Sequence, residues 1–369
     1  MTTGKQLFTT LESDGTLTLA IEEVSFPEPT GNQVLVKMEA APINPSDLAI
    51  LTGAADFENA EYSDGKVVAK MPEPFNSASK SRHGQKLPAG NEGAGTVIAT
   101  GDSDMAKALM GQRVACVPGN AFSQYAIADA AMCLPLGEHS SEAGASSFVN
   151  PMTALGFVEN AKMDGQKAIL HTVGASNLGQ MLNRICLEDG IDLVNIVRKD
   201  DQAELLKSQG AKHVVNSSDD DFMDQLKSAI DETDAFYGFD PIGGGQMVDS
   251  CFRAMEQVAV SKMTEYSRYG SNQQKRMFIY GRLDFGPTVL TPAYGFGWTL
   301  SGWLLTPFLQ NAGMETVMRM RTRVLENLTT TFASHYKTKV DLEGMLTKDA
   351  ILDYRQMKTG EKYLVTPHG

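Results

Sequence analysis

A run of small residues follows a predicted buried strand near the middle of the chain. The strand reads AILHTV over residues 168–173. Directly after it come the residues that we call the glycine turn: Gly174, Ala175, Ser176, Asn177, Leu178 and Gly179. Small side chains let the backbone approach a pyrophosphate, and the helix predicted to begin there supplies unpaired N–H groups and a partial positive charge. The glycine turn lacks the central glycine of G-x-G-x-x-G, and such turns also occur without a ligand, but it indicates a dinucleotide site.

Two basic residues end the next predicted strand, DLVNIV over residues 192–197. Sites that prefer NADH carry an acidic residue at this place, whereas an arginine accommodates the 2′-phosphate of NADPH. Arg198 can bind that phosphate with two parallel hydrogen bonds, and Lys199 adds a supporting charge. The pair therefore favours NADPH over NADH, and the alternative is a solvated strand end.

The elements that must hold these residues alternate between strand and helix. They are predicted over 168–173, 178–188, 192–197, 202–209, 213–216, 235–240 and 276–280. This alternation implies a parallel sheet with right-handed crossovers. The first third of the chain is β-rich instead, with short strands flanked by glycine. The predicted fold class is α/β, with a doubly wound parallel Rossmann sheet and a second, β-rich domain.

The composition excludes several classes of protein. The chain has 369 residues, a hydrophobic fraction of 42% and a formal net charge of −13. This acidic balance argues against a nucleic-acid partner. The N-terminus lacks the apolar core of a signal peptide, and no apolar run of about eighteen residues would span a membrane. The four cysteines form no C-x-x-C pair, which argues against structural zinc and favours a cytoplasmic location.

Motifs along nearly the whole chain resemble those of the medium-chain dehydrogenase/reductase superfamily. Within it, the chain is most similar to the zinc-free quinone oxidoreductases and the 2-enoyl thioester reductases of mitochondrial type. Besides the glycine turn, the motifs are VLVKMEAAPINPSDL (34–48), LPAGNEGAGTVIATG (87–101), GQRVACV (111–117), FSQYAIA (122–128), NPMTALGF (150–157), ELLKSQGAKHVVN (204–216) and EKYLVTP (361–367). Their order and spacing carry the resemblance.

The resemblance implies two domains, with the active site in the cleft at their junction. A GroES-like substrate domain would comprise residues 1–150 and 313–369, and a Rossmann dinucleotide-binding domain residues 151–312. It also implies a homodimer, in which the apolar segment 298–305 is an edge strand that pairs across the dimer. The alternative for this segment is an internal strand of the sheet, and the apolar stretch 298–309 reads as a buried strand followed by a loop.

The resemblance also implies which residues would bind the cofactor NADPH. Asn44 would lie beside the nicotinamide ribose or the substrate, and Thr153 would contact the nicotinamide. Gly281 would let the backbone approach the cofactor, and Ile242 would lie on the adenosine side. The full predicted set is Asn44, Thr153, Gly174, Ser176, Asn177, Leu178, Gly179, Arg198, Lys199, Ile242 and Gly281.

Zinc-dependent relatives hold a catalytic zinc with a cysteine, a histidine and a further cysteine or acid. Here Asn44 stands at the first of these positions and Asn91 at the second. Because asparagine is a poor zinc ligand, we expect no metal at this site.

The implied reaction is hydride transfer from NADPH to an electron-poor carbon or a quinone, with a proton added nearby. Enoyl thioester reductases carry a tyrosine in a G-x-Y context after the N-P-S-D motif, where this chain has Gly53-Ala54-Ala55. The nearest candidate proton donor is Tyr62, on a predicted extended loop over 54–86, and with Asn44 it makes the predicted catalytic pair. The alternative for Tyr62 is an exposed loop residue.

Two classes of function stay open on the sequence alone. One is an NADPH-dependent reductase of enones, enoyl thioesters or quinones acting on a small-molecule substrate. The other is a cofactor-binding protein of the same fold with little catalysis, used as a sensor or structural protein. A zinc alcohol dehydrogenase is disfavoured by the two asparagines, and the physiological acceptor is not identified.

Overall fold

The strands of the first third form because apolar residues alternate with polar ones. In Gln33–Pro42, the side chains of Val34, Val36 and Met38 are fully buried, whereas Lys37 is exposed. The alternation of buried and more exposed residues from Val36 to Ala40 is expected of a strand with one face in a core, although Leu35 is also buried.

A computed structural model describes residues 1–360 and 362–369. They pack as two units, which we call the split unit (Met1–Val149 with Val324–Gly369) and the central unit (Asn150–Arg323). The helices and sheets of the two units confirm the predicted α/β class. The limits and roles predicted for a substrate domain and a dinucleotide domain stay predictions.

The bounds of the elements are as follows. The strands are β1 Thr2–Leu11, β2 Thr16–Phe26, β3 Gln33–Pro42, β4 Asp56–Ser63, β5 Lys66–Lys70, β6 Lys86–Pro88, β7 Gly93–Thr100, β8 Arg113–Cys116, β9 Tyr125–Asp129, β10 Leu134–Pro135, β11 Ala168–His171, β12 Asp192–Val197, β13 His213–Asn216, β14 Tyr237–Asp240, β15 Gly243–Gly245, β16 Lys275–Ile279, β17 Asp284–Thr288, β18 Trp298–Gly302, β19 Tyr336–Val340 and β20 Lys362–Val365. The α-helices are α1 Pro45–Leu51, α2 Phe75–Ala78, α3 Asp104–Ala108, α4 Ser141–Gly144, α5 Val149–Met163, α6 Asn177–Asp189, α7 Asp200–Ser208, α8 Phe222–Thr233, α9 Met247–Ser261, α10 Leu305–Ala312, α11 Met314–Glu326 and α12 Lys348–Tyr354.

The split unit is built on two sheets. One has the strand order β4-β5-β2-β1-β6, and the other has the order β10-β8-β7-β3-β20-β19, with β9 also paired to β3. Strand β20 pairs antiparallel with β3 and parallel with β19. The late part of the chain therefore completes a sheet that the early part begins.

The central unit is built on a parallel sheet with the order β13-β12-β11-β14-β16-β18. The strand order reverses between β11 and β14, and ligands of doubly wound sheets bind outside the carboxyl ends of the strands at such a point. Strand β18 lies at the edge of this sheet, so the alternative of an internal strand is wrong, whereas its pairing across a dimer stays a prediction.

Two predictions for connecting segments are wrong. The segment 54–86 is not an extended loop, because β4 and β5 form an antiparallel extension of the sheet next to β2. The predicted loop at the end of 298–309 is the start of α10, and the preceding strand β18 is half-exposed rather than buried. Pro307 lies in the first turn of α10, where a proline has no helical hydrogen bond to lose.

The length and the apolar character of the described helices determine whether one of them could span a membrane. None of them combines the length and the apolar character that crossing a bilayer requires.

Candidate functional site

The glycine turn connects β11 to α6, and Ser176 caps the helix. The Ser176 Oγ accepts from the Gly179 N–H at 3.0 Å and donates to the Val173 carbonyl at 2.9 Å. The Gly174 N–H donates to the Ile196 carbonyl at 2.9 Å, which joins the turn to β12. A Cβ atom on Gly179 would overlap the carbonyl oxygens of Gly174 and Val173, so this close approach of helix and strand requires glycine.

The other side chains of the glycine turn are partly or fully buried. Leu178 is buried on α6, and Asn177 begins the helix with a half-buried side chain. A Cβ atom on Gly174 would lie 2.8 Å from the Oδ1 atom of Asn195, which is fully buried on β12. Gly174 therefore packs directly against β12, at a place where a side chain would not fit.

The two predicted phosphate-binding cations lie at the carboxyl end of β12. The side chains of Arg198 and Lys199 are both exposed. The Arg198 N–H donates to the Gln202 side chain at 3.2 Å, and the Arg198 carbonyl accepts from the Ser218 hydroxyl at 2.9 Å. The backbone at Arg198 is therefore held, while its guanidinium faces solvent.

The other predicted cofactor residues of the central unit lie on different elements. Thr153 is buried on α5, and Ile242 follows β14 with a half-buried side chain. Gly281 follows β16, and a Cβ atom there would lie 2.7 Å from the Pro241 carbonyl oxygen. Asp240 accepts from the Gly243 N–H at 2.8 Å and from the Thr172 hydroxyl, although burial raises its pKa.

Sequence reasoning missed a buried pair at the carboxyl ends of β11 and β16. The Nε2 atom of His171 lies 2.7 Å from the Tyr280 hydroxyl, and burial lowers the pKa of His171 to about 3. His171 is therefore neutral near pH 7, and burial also raises the pKa of Tyr280. The apolar run around His171 was the available signal, since a histidine inside a buried strand needs a partner.

Asn44 begins α1 in the split unit, and its side chain is almost completely buried. Its Nδ2 donates to Glu92 Oε1 at 2.9 Å, whereas its Oδ1 is buried without a hydrogen-bond partner among the described residues. Its backbone N–H donates to the Asp47 carboxylate at 2.8 Å, and the Asp47 N–H donates to the Asn44 carbonyl at 2.9 Å. The Asn44 side chain also faces the Asp47 backbone N–H, and this reciprocal capping box fixes the start of α1.

Glu92 accepts donors on both of its carboxylate oxygens. Oε1 accepts from Asn44, and Oε2 accepts from the N–H groups of Phe148 and Val149 at 2.9 and 2.8 Å. Glu92 is 1% exposed, and this burial raises its pKa against the effect of Lys362 and of the three donors. Sequence analysis placed Glu92 only within a motif, and its signal was an acid inside a glycine-rich apolar run.

Lys362 brings a positive charge to the same region of the split unit. Its Nζ donates to the Ser146 hydroxyl oxygen at 2.6 Å, which also accepts from the Tyr336 hydroxyl at 3.0 Å. Burial lowers the pKa of Lys362 to about 8, and the carboxylates of Glu92 and Asp47 act against this shift. Burial likewise raises the pKa of Asp47 to about 7.

Tyr62, the predicted proton donor, lies on β4. Its hydroxyl donates to the Phe57 carbonyl at 2.7 Å, and burial raises its pKa. Asn91, at the other predicted zinc-like position, donates from Nδ2 to the Ser46 hydroxyl at 2.9 Å and from its backbone N–H to Asp47. Within residues 1–360 and 362–369, no three histidine, cysteine, aspartate or glutamate side chains gather as a metal site would require.

Comparisons with known proteins relate the chain to reductases. The alcohol dehydrogenase GroES-like domain family matches residues 30–138. The mitochondrial enoyl-[acyl-carrier-protein] reductase of Homo sapiens is 30% identical over 206 residues, which cover 51% of this chain and 46% of the human protein. The chain thus spans about half the length of this curated relative.

Solved structures match over the full length. A Mesorhizobium loti protein assigned as an NADPH:quinone reductase is 26% identical, with a TM-score of 0.76 and coverage of 100% of both chains. The quinone oxidoreductase of Escherichia coli, solved with NADPH, has a TM-score of 0.70 at 16% identity, covering 99% of this chain and 100% of that one. At that identity, the second likeness concerns the fold alone.

Proposed function

Because the chain belongs to the medium-chain dehydrogenase/reductase superfamily, among its quinone oxidoreductase-like and enoyl reductase-like members, we propose that it is a zinc-independent, NADPH-dependent reductase. It transfers a hydride to an activated C=C bond, in an enone or an enoyl thioester, or to a quinone. Asparagine at both zinc-like positions supports the zinc-independent assignment.

The observation that carries the proposal is the position of Arg198 beside the glycine turn. The bond from Gly174 to Ile196 joins the turn to β12, two residues before the exposed guanidinium. A pyrophosphate at the amino end of α6 and a ribose 2′-phosphate at the end of β12 match the charge pattern of NADPH. NADH, which lacks the 2′-phosphate, would leave Arg198 unused.

The residues present fit a bound NADPH. The amino end of α6, which Ser176 caps, would hold the pyrophosphate near the backbone of the glycine turn, and Arg198 with Lys199 would hold the 2′-phosphate. Ile242 would lie on the adenosine side. When bound, the nicotinamide supplies the hydride. Thr153 and the backbone at Gly281 would orient it, and Asn44 is the residue that the resemblance implies at the ribose.

The two classes of acceptor make different demands on the protein. An enolate formed by reduction of a C=C bond needs a proton donor, and the Tyr62 hydroxyl is engaged with the Phe57 carbonyl. A quinone makes the smallest demand on the protein, because water can protonate the hydroquinone anion. Tyr62 remains the proposed donor for an enoyl or enone acceptor, with its hydroxyl released from Phe57.

The test is a fluorescence titration with NADPH and NADH, followed by turnover with three acceptors: a quinone, an enone and a short enoyl-CoA. We expect tighter binding of NADPH than of NADH, and oxidation of NADPH with at least one acceptor. Binding without turnover would favour the alternative of a cofactor-binding protein with little catalysis. Binding of neither nucleotide would refute the proposal.

We also propose a homodimer, formed at the open edge of the central sheet. Strand β18 pairs with β16 on one side only among the described strands, which leaves backbone groups available for a second copy. Sedimentation should give about twice the chain mass of 39.9 kDa, and a species of the single-chain mass would contradict this. The cytoplasmic location stays a proposal based on the cysteine pattern.

A further inference from the structure

Two of the four cysteines lie opposite each other in the split unit. Strand β10 pairs antiparallel with β8, with Leu134 opposite Ala115. Continuing this register by one residue sets Cys133 opposite Cys116, the last residue of β8. The backbone of Cys133 has φ −82° and ψ 142°, so the extended conformation of β10 continues through it.

The backbone hydrogen bonds place this pair at a close position of the ladder. The Leu136 N–H donates to the carbonyl of Arg113, its opposite residue, at 2.9 Å. Hydrogen-bonded and non-hydrogen-bonded pairs alternate along an antiparallel ladder, so Cys133 and Cys116, three residues further on, form a non-hydrogen-bonded pair. The Cys133 N–H agrees with this, because it donates to the Ala130 carbonyl instead. The Cα atoms of such pairs are about 4.5 Å apart, within the range of roughly 4.4–6.8 Å that a disulfide spans.

The two side chains also belong to one core. Residues directly opposite each other on an antiparallel pair of strands point to the same face of the sheet. Cys116 is 2% exposed and Cys133 is 4% exposed, and both pack in the same cluster of buried side chains. Burial is the main cause that raises the pKa of the Cys116 thiol, and Cys133 adds to the shift, as expected where two thiols are neighbours.

We propose that Cys116 and Cys133 are a modification site, at which a peroxide oxidises the two thiols to a disulfide bond. The bond joins β8 to β10 and closes a loop of chain that contains β9. No spacing motif marks this pair, because only the register of the two strands brings the cysteines together. The inference goes beyond the proposed function and does not depend on it.

The reaction with hydrogen peroxide has two steps. The Cys133 thiolate attacks one oxygen of the peroxide, the O–O bond breaks, and Cys133 becomes a sulfenic acid while the other oxygen leaves as water. The Cys116 thiolate then attacks the Cys133 sulfur, the S–O bond breaks, and the hydroxyl group leaves as a second water. The thiols lose two electrons to the peroxide, and their two protons end in the two water molecules.

The positions of the two strands determine the order of attack. Strand β10 has two residues and pairs only with β8 among the described strands, whereas β8 lies between β10 and β7. A short strand at the edge of a sheet opens locally more easily than a strand with a neighbour on each side. Cys133 is therefore the thiol that the peroxide reaches first, and Cys116 is the thiol that completes the bond.

Peptide mapping of the full chain tests the proposal. The folded protein is treated with hydrogen peroxide in the absence of urea, and its remaining thiols are then alkylated in denaturant. The number of alkylated cysteines should fall from four to two. Proteolysis without reductant should release the peptides of Cys116 and Cys133 as one linked pair, and dithiothreitol should separate them.

Three alanine variants provide the order of attack and the control, since a buried cysteine packs as a small apolar side chain. In Cys116→Ala, Cys133 should accumulate a sulfenic acid that dimedone traps. In Cys133→Ala, Cys116 should remain a thiol. The matched control is Cys251→Ala, which removes an equally buried cysteine of the central unit and should still give the linked pair.

Four alkylated cysteines after peroxide treatment of the wild type would overturn the proposal, and so would a linkage that includes Cys186 or Cys251. A sulfenic acid on Cys116 in Cys133→Ala would overturn the order of attack. If either variant of the pair fails to fold by circular dichroism, the peptide maps of the wild type and of Cys251→Ala still decide whether the bond forms.

Discussion

Two buried polar clusters, one in each unit, differ in whether every group has a partner. In the central unit, Lys275 Nζ lies 2.6 Å from Glu256 Oε2 and also donates to the Ser271 hydroxyl at 3.0 Å and the Gln273 carbonyl at 2.7 Å. Ser271 donates to Glu256 from its N–H and from its hydroxyl. Burial acts to raise the pKa of Glu256, but these donors outweigh it and the pKa is lowered.

The cluster of the split unit, which consists of Asn44, Asp47, Glu92, Ser146 and Lys362, is less well paired than that of the central unit. Its two carboxylates, Asp47 and Glu92, have raised pKa values because burial outweighs their donors. Lys362 donates to the Ser146 hydroxyl, and Asn44 keeps an oxygen without a partner among the described residues. A fully satisfied buried network makes the fold more rigid, whereas buried polar groups that lack a partner cost stability.

The largest expected effect is on the complete cluster. Lys275→Met leaves Glu256 buried without its cation and should destabilise the central unit by about 3–5 kcal/mol. Both tryptophans, Trp298 and Trp303, lie in this unit, so the midpoint of urea unfolding followed by tryptophan fluorescence reports it directly. The exposed Lys262, which pairs with two aspartates, is the control, and Lys262→Met should cost much less. Equal losses would show that the buried pair is not structural.

The next effect concerns a cation that holds a ligand rather than the fold. Arg198→Ala should weaken NADPH binding by roughly 10- to 100-fold and NADH binding hardly at all, because only NADPH carries the 2′-phosphate. The urea midpoint should not change, since Arg198 is exposed. Arg268→Ala, an exposed arginine elsewhere in the central unit, should alter neither quantity. A similar loss for NADH and NADPH would refute the 2′-phosphate assignment.

The smallest effect is a pH dependence that separates the clusters. The pKa of Asp47 rises from 3.8 to about 7 on folding, so the folded state holds the extra proton and stability falls as pH rises from about 5 to 7. The pKa of Lys362 falls from 10.5 to about 8, so its contribution recovers as pH rises above 8. The lowered pKa of Glu256 works in the opposite direction, since its contribution is lost in acid.

Far-UV circular dichroism in urea at pH 5 to 9, beside tryptophan fluorescence, measures this difference. Asp47→Asn should flatten the decline between pH 5 and 7. Asp14→Asn, at an exposed aspartate whose pKa is lowered by bonds from Thr16 and Lys70, should leave that decline unchanged. An unaltered decline in Asp47→Asn would show that another group titrates there.

Much of the fold follows from local sequence patterns. Strands β12 and β13 begin and end where the sequence predicted them. The strand β4 was missed because it is an edge strand, in which only Phe57 is fully buried and charged residues face solvent. The helix α10 was missed because the apolar stretch 298–309, which contains Pro307, was interpreted as a strand followed by a loop.

The candidate site was predictable only where its parts are local. The glycine turn and Arg198 belong to one strand–helix–strand segment, so a motif could identify them. The partnership of Asn44, Glu92 and Lys362 depends on tertiary packing that brings together three distant parts of the chain. No local pattern carries that information.

The pairing of β20 with β3 and β19 has a consequence for synthesis on the ribosome. The central unit is continuous in the chain, so it can fold as soon as residues 150–323 have emerged. Within the first 149 residues, β3 already pairs with β7 and, over residues 33–37, with β9. Only Ala41 and Pro42, at the end of β3, must wait for residues 364–365 to be made, so most of this sheet can form before the last strand leaves the ribosome.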